Sequence, residues 1–323
     1  MIGAIAITGP TASGKTSLSI ALAKELGCEI ISCDSMQIYK DMNIGTAKVT
    51  EAEQDGVVHH LIDFVDPRDA FSVEDYRREA LSRAQEIASR GVLPMFVGGT
   101  GLYVDALLRA PMTGVPESSR EYRDKILSGI KTDADIDALW QRLYAVDPES
   151  AEAIHKNNVR RVIRALEIYD ATGRTKSEID RESRAAARDI SIGMITLDFH
   201  DRENLYKRVD LRVDIMMREG LLSEVASLYG SGRLPKSSTA AQAIGYKEII
   251  RHLDGEISIS EAVDEIKLGT RRYAKRQLTW FRHNEAKRLY LDGEDGEMRD
   301  FDDILSDARL LADEIIKKFK EQI

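Results

Sequence analysis

Apolar and polar residues recur along this chain in two different periods, and the points where one period gives way to the other outline the protein. Residues 2–8 are an apolar run of strand length, and beyond a glycine-rich break Leu18, Leu22 and Leu26 follow at helical spacing. A second strand is predicted over 29–32 and a third over 59–63. From Ser72 a helix is predicted, with Val73 and Tyr76 leading into Ala80, Leu81, Ala84, Ile87 and Ala88 until Gly91 stops it. Residues 92–97 read as a further buried strand. The β-α-β-α-β alternation predicts a parallel sheet with helices on both faces, the α/β class.

The alternation breaks at 111–116. From 118 to about 188 the pattern is wholly helical, with helices expected over 119–130, 135–146, 148–154, 158–172 and 176–187, and the strand pattern resumes at 190–199. Residues 115–188 are therefore expected to be an all-helical insertion in an α/β core made of 1–114 and 189–323. A helix over 202–219 turns Leu205, Val209, Val213, Met216 and Met217 inward and closes at Gly220. Residues 237–247 are small and flexible, and read as a mobile connection to the last long helix. That helix opens with the capping box from Ser258 to Glu261 and runs to His283.

Composition narrows the class. With 323 residues, 43% hydrophobic and 31% charged, the chain describes a soluble globular protein. The N-terminal apolar run is too short for a signal peptide or membrane span, so a cytoplasmic protein with no membrane partner is expected. Cys28 and Cys33 have no second pair, so neither a zinc site nor a disulfide framework is indicated, and buried thiols beside the second strand are expected. The net charge of −9 argues against a nucleic-acid partner until its distribution is considered. Arg271, Arg272, Lys275, Arg276, Arg282, Lys287 and Arg288 crowd one stretch against the single acid Glu285.

The break after the first strand carries the clearest chemistry. Gly9-Pro10-Thr11-Ala12-Ser13-Gly14-Lys15-Thr16 is a full match to G-x-x-x-x-G-K-[ST] in the strand, loop, helix setting that motif requires. Its backbone N–H groups and the helix dipole prepare a cradle for a diphosphate or triphosphate. Lys15 adds a full charge, and the Thr16 hydroxyl suits Mg²⁺. Asp34 ends the second strand, where ligands of parallel sheets sit, although it equally suits a turn or helix cap. The polar stretch behind it, through Ser35, Met36, Gln37 and on to Lys48, is too long for a simple turn. Gly98-Gly99-Thr100 occupies the same place after the later strand, as a ligand-facing loop or a plain left-handed turn.

Other clusters stay ambiguous on the residues alone. His59 and His60 lack a third ligand, so no metal site is read there. Arg160 and Arg164 share a helix face, either salt-bridged to Glu167 or Asp170 or set against phosphates. Arg271, Lys275 and Arg282 lie near one stripe beside Trp280 and Phe281, which suits RNA backbone and stacking, or equally a core tryptophan with solvated arginines. A small-molecule kinase, with ATP in the loop and Asp34 activating a hydroxyl, ranks first on these features. A nucleotide-switched RNA-binding module without catalysis is the reading from another class.

Longer segments change that ranking. GPTASGKT at 9–16, DSMQIYKDMNIGTAK at 34–48, GGTGLY at 98–103, NNVRRVIRALEI at 157–168, LYKRVDLRVDIMMREGL at 205–221, QAIGYKE at 242–248 and RRYAKRQLTWFR at 271–282 run in order through nearly the whole chain. Together they resemble the bacterial tRNA dimethylallyltransferases, the tRNA Δ2-isopentenylpyrophosphate transferases. The combination of D-S-x-Q-x-Y, G-G-T and R-Q-x-T-W-F-R is specific to that family, and no motif position departs from it. The zinc-finger segment of eukaryotic relatives is not found, so a bacterial-type enzyme is expected.

The resemblance implies a P-loop NTPase-like core and transfer of a dimethylallyl group from its diphosphate to N6 of the adenine beside the anticodon, at tRNA position 37. Gly9 to Thr16 and Arg212 would then hold the diphosphate with Mg²⁺ on Thr16, Asp34 would accept the N6 proton, and Thr100 would orient the reactants. Ser35, Met36 and Gln37 would surround the flipped adenine together with Asp34 and Thr100. Arg123, Arg160, Arg164, Gln242, Gly245, Tyr246, Lys247, Arg271, Arg272, Gln277 and Arg282 would meet the anticodon stem-loop. The expected partners are tRNA and dimethylallyl diphosphate, and the expected state is a monomer.

Overall fold

In a computed structural model the protein is described over residues 2–110, 115, 119–186, 188–284 and 286–321. The break expected at 111–116 falls outside the described residues apart from Val115, as does Glu285. Two compact units emerge, Met1–Leu108 with Asp189–Ile323, and Arg109–Arg188.

The first unit is built on six strands: β1 (Ile2–Thr8), β2 (Cys28–Ser32), β3 (His59–His60), β4 (Leu93–Gly98), β5 (Ile190–Asp198) and β6 (Lys287–Tyr290). Their order is β3-β2-β4-β1-β5-β6, and every pairing is parallel. The near-continuous apolar runs follow from burial on both faces. On β1, Ile5 and Ile7 enter one core and Ala4 and Ala6 the opposite one. Register then aligns the carboxyl ends, since Thr8 is opposite Gly98 and Ser32 is opposite Val97. The segments that follow β1, β2 and β4 must therefore meet in space.

Helices cover both faces. α1 (Lys15–Leu26) follows β1, α2 (Glu51–Gln54) is a single turn, and α3 (Val73–Ser89) and α4 (Gly101–Leu108) pack on the Ala4 side. The capping box of Ser72 and Asp75 starts α3. The second unit is wholly helical among its described residues: α5 (Arg120–Gly129), α6 (Asp133–Val146), α7 (Pro148–Ala153), α8 (Val159–Thr172) and α9 (Lys176–Ala185). Leu143, Ile154, Val162 and Leu166 form its core. Asp147 ties it together, capping α7 through the Ser150 N–H at 3.0 Å and accepting the Ser177 N–H at 3.1 Å.

Back in the first unit come α10 (Arg202–Glu219), α11 (Leu221–Gly230), a 3₁₀ turn (Ala240–Gln242), α12 (Tyr246–Leu253), α13 (Ile259–Arg282) and α14 (Phe301–Glu321). Three expectations are corrected here. Residues 237–247 are not a mobile connection: Ala240, Ala241, Ala243 and Tyr246 are buried against Leu221, Val225 and Ile266 in a third core. Their small side chains reflect close packing, not flexibility. The helix from Ser258 is also not the last, because α14 follows and packs Ala308, Ala312 and Ile315 against the sheet core. The strand expected over 59–63 is only two residues long. Both cysteines are buried free thiols, and burial pushes each up to about 12.

Candidate active site

The arc between β1 and α1 is shaped by what surrounds it. Gly9 has φ +145°, and a Cβ there would lie 2.9 Å from the Leu197 carbonyl on β5, so no side chain fits. Within the arc, Ser13 Oγ and Lys15 Nζ both donate to the Pro10 carbonyl, at 2.8 and 2.6 Å. Arg208 Nε on α10 donates to the Ala12 carbonyl at 2.8 Å. The Thr11 N–H is taken by Gln277 Oε1 at 2.9 Å, so the donors left for an anion lie toward the start of α1.

Two cations define the field there. Burial first and the Arg212 guanidinium second, opposed by Asp34, bring the Lys15 ammonium down to about 8. Arg212 is itself held below its ordinary value by burial, against the pull of Asp34. Its Nε is buried with no hydrogen-bond partner among the described residues. A buried guanidinium N–H without an acceptor is costly, which makes this a place where an anion gains most by binding.

Asp34 follows the end of β2, and its Oδ1 accepts the N–H groups of Met36 at 2.8 Å and Gln37 at 3.3 Å. The turn-capping role left open by the sequence is thus real, but it uses one oxygen only. Oδ2 has no hydrogen bond among the described residues. The Thr100 segment is laced to it: Thr100 N–H donates to the Cys33 carbonyl at 3.2 Å, and Thr100 Oγ1 accepts the Ser35 N–H at 3.1 Å. Gln277, buried on α13, links this segment to the phosphate loop by donating to the Gly99 carbonyl at 2.8 Å while accepting from Thr11. One side chain therefore fixes two of the three strand-end segments.

Thr11 of the phosphate loop with Asp34 and Ser35 after β2 line a cavity of about 490 Å³, together with Met36, Arg212, Val213, Met216 and Tyr273. That volume suits a small organic group. Burial and the nearby Asp34 push the Tyr273 hydroxyl up to about 12. At the rim stand Gln242, Lys247, Arg272 and Arg276, all exposed. Arg276 lies 5.7 Å from the Tyr273 ring centroid, a cation–π distance. Among the described residues no group of three or more His, Cys, Asp or Glu side chains is placed to hold a metal.

Several residues expected at an RNA surface face elsewhere. Tyr246 is fully buried and its hydroxyl donates to Glu224 at 2.6 Å, and Gly245 is buried beside it. Gln277 is turned inward, as above. Arg282 pairs with the buried Asp198 at 3.0 Å, which holds the end of α13 to the end of β5. Arg271 pairs with Asp210 at 2.6 Å. Trp280 is half-buried against the Phe96 core, and Phe281 is inside it. The exposed cations of α13 are instead Arg272, Lys275 and Arg276. In the helical unit, Arg164 pairs with Glu167 at 2.7 Å, Arg123 is half-buried on α5, and Arg160 is exposed with no ion pair among the described residues.

Comparison with known proteins fits this arrangement. The model of a family described as IPP transferase matches residues 37–284, and one described as isopentenyl transferase matches residues 2–65. The chain belongs to the IPP transferase family. Among its relatives, the tRNA dimethylallyltransferase of Bacillus subtilis (strain 168) is 48% identical over 280 residues, covering 86% of this chain and 87% of that one. That of Thermoanaerobacter sp. (strain X514) is 47% identical over 279 residues, covering 86% and 88%. The solved tRNA isopentenylpyrophosphate transferase of Bacillus halodurans superposes with a TM-score of 0.72 at 41% identity, covering 100% of this chain and 99% of that one. A eukaryotic dimethylallyltransferase acting on tRNA gives 0.75 at 31% identity, covering 90% and 74%.

For this IPP transferase family member, sequence reasoning missed three contributors. Tyr273 was visible only as part of a basic stretch. Arg208 carries no signal beyond its place in the 205–221 segment, because its bond to the Ala12 carbonyl spans 196 residues. Glu224 carried no signal at all.

Proposed function

We infer that this chain is a tRNA dimethylallyltransferase, moving a dimethylallyl group from its diphosphate to N6 of an adenine beside the anticodon, at position 37. The observation that carries the reading is one cavity walled by Thr11 of the phosphate loop, the half-buried Arg212 and Asp34 at the next strand end, with exposed cations at its mouth. A metabolite kinase has no use for that mouth.

The new bond joins adenine N6 to the allylic C1 of the donor, and the bond from C1 to the diphosphate oxygen breaks with its electron pair leaving on diphosphate. Because charge accumulates on the leaving group, preorganised cations lower the barrier most directly. Lys15, Arg212 and the N–H groups at the start of α1 supply them. The N6 lone pair is delocalised into the ring, so its proton must be accepted as the carbon bond forms. Asp34 is the acceptor, through the oxygen the turn leaves free. Thr100, held against Ser35, orients the base or the bridging oxygen. The adenine must leave its stack to enter, which costs least in a loop.

The donor set also fits a divalent ion of the Mg²⁺ kind. Such an ion keeps waters and takes few protein oxygens besides substrate phosphates. The exposed Thr16 hydroxyl at the start of α1 would be its protein ligand. When bound, the ion would neutralise charge on the diphosphate.

The direct test is transfer of labelled dimethylallyl from its diphosphate to unmodified tRNA with Mg²⁺ and without ATP. Label in tRNA at adenine is expected; a strict ATP requirement, or label on a small acceptor, would overturn the reading.

Lys15 gives a pH signature. Its folded value of about 8 lies below the ordinary 10.5, so in the free protein the ammonium is lost as pH rises through 8. Donor KM is then expected to rise by approaching about tenfold per pH unit above that point, while Lys15→Arg stays flat. Between the two values the unfolded chain binds more protons, so donor-free stability should rise with pH across the same window. A flat wild-type KM profile would remove Lys15 from the diphosphate site.

The rim residues predict salt dependence. Arg272→Ala with Arg276→Ala should weaken tRNA binding and flatten its dependence on log salt by about 1.4, for two lost contacts to single-stranded phosphates. An unchanged slope would leave these arginines merely solvated.

A further inference from the structure

The turn through residues 43–45 forms part of the cavity wall, since Gly45 and Thr46 line it, yet its backbone is fixed from another helix. Glu224 on α11 accepts the N–H groups of Asn43 at 2.9 Å and Ile44 at 2.8 Å through Oε2. Through Oε1 it accepts the Gly45 N–H at 3.2 Å and the Tyr246 hydroxyl at 2.6 Å. One carboxylate thus gathers four donors, and hydrogen bonds to a charged acceptor are the strong ones. The packing leaves no slack: a Cβ on Gly45 would lie 2.4 Å from the Tyr246 ring and 2.9 Å from Leu221.

The wall continues to the reacting group. Beyond the clamped turn, the carbonyls of Thr46 and Ala47 accept Gln37 Nε2 at 3.3 and 3.1 Å. The Gln37 N–H in turn donates to Asp34 Oδ1 at 3.3 Å. Hydrogen bonds therefore lead from Glu224, through the turn and Gln37, to the aspartate whose other oxygen has no hydrogen bond among the described residues.

From this chain of contacts we propose that Glu224 is a positioning residue for the transfer reaction, holding the 43–45 turn and, through Gln37, the loop that carries Asp34. The proposal rests on the transferase reading above. Glu224 touches no substrate; it sets the width of the cavity and the aim of Asp34. Small displacements at a reacting centre are costly, of order 10²-fold for about 1 Å.

The test is Glu224→Gln in the full chain. Glutamine keeps the shape but places an amide N–H against backbone donors. Single-turnover transfer at saturating donor and tRNA is expected to fall about 10- to 100-fold. The tRNA Kd should be unchanged, and the amides of residues 37 and 43–45 should exchange hydrogen faster while those of β1 and β5 do not. Tyr246→Phe, which removes one of the four bonds, should move the same readouts less. Wild-type turnover despite faster local exchange would overturn the proposal, as would unchanged exchange, or an activity loss that merely follows global unfolding. If wild type transfers nothing to tRNA, the transferase reading fails instead, and the exchange comparison still reports on the clamp.

Discussion

Asp34→Asn is expected to lose about 10²- to 10⁴-fold in kcat, the usual contribution of a positioned general base, while tRNA affinity stays at the wild-type value. Asparagine is the informative replacement. Its amide oxygen can still accept from Met36 and Gln37, so the turn that follows β2 survives. What is lost is the second carboxylate oxygen, which no described residue engages and which the proposed mechanism uses for the N6 proton. Asp34→Ala removes both functions and should add a loss of local order to the same kinetic defect. Single-turnover transfer and equilibrium tRNA binding, measured on both variants, separate the cases. Parallel loss of turnover and affinity in Asp34→Asn would make Asp34 a recognition residue and leave the proton without an acceptor.

The parts of this site that were legible in the sequence are those where local chemistry and local geometry agree. The phosphate loop announced itself because its glycine needs are local: Gly14 is left-handed immediately before α1. The placement of Asp34 and of Thr100 followed from one rule, that loops after parallel strands meet at the carboxyl edge, and the register of β1, β2 and β4 brings them together. The helical unit was readable for the same reason, since its caps and apolar spacing lie within each segment.

What the sequence hid depends on partners far along the chain. Arg271 and Arg272 are adjacent in a basic run, but Asp210 on α10 takes the first and leaves the second exposed. Arg282 belongs to the same run and is held by Asp198, which is buried at the end of a strand more than eighty residues earlier. Small residues at 240–243 look like a flexible link when the helices that crowd them are not in view. Gln277 could not be distinguished from a surface glutamine, because its two bonds reach residues 11 and 99.

The same dependence on distant partners governs the second large effect, at Arg212. Arg212→Leu is expected to lower kcat by about 10²- to 10³-fold, the scale for removing one preorganised donor from a site of developing negative charge. It should also raise the stability of the donor-free protein. The Nε of Arg212 is buried without a partner and the neighbouring Lys15 is depressed by its charge, so the substitution relieves an unsatisfied polar group, worth about 1–3 kcal/mol, and a repulsion between cations. A higher melting temperature beside a large activity loss is the pattern of a group kept for a ligand at the expense of the fold. Added diphosphate sharpens the contrast, since it should stabilise wild type and leave Arg212→Leu nearly unmoved. Lower stability together with lower activity would mean that Arg212 is structural, and unaltered turnover would place the leaving diphosphate on Lys15 and the helix start alone.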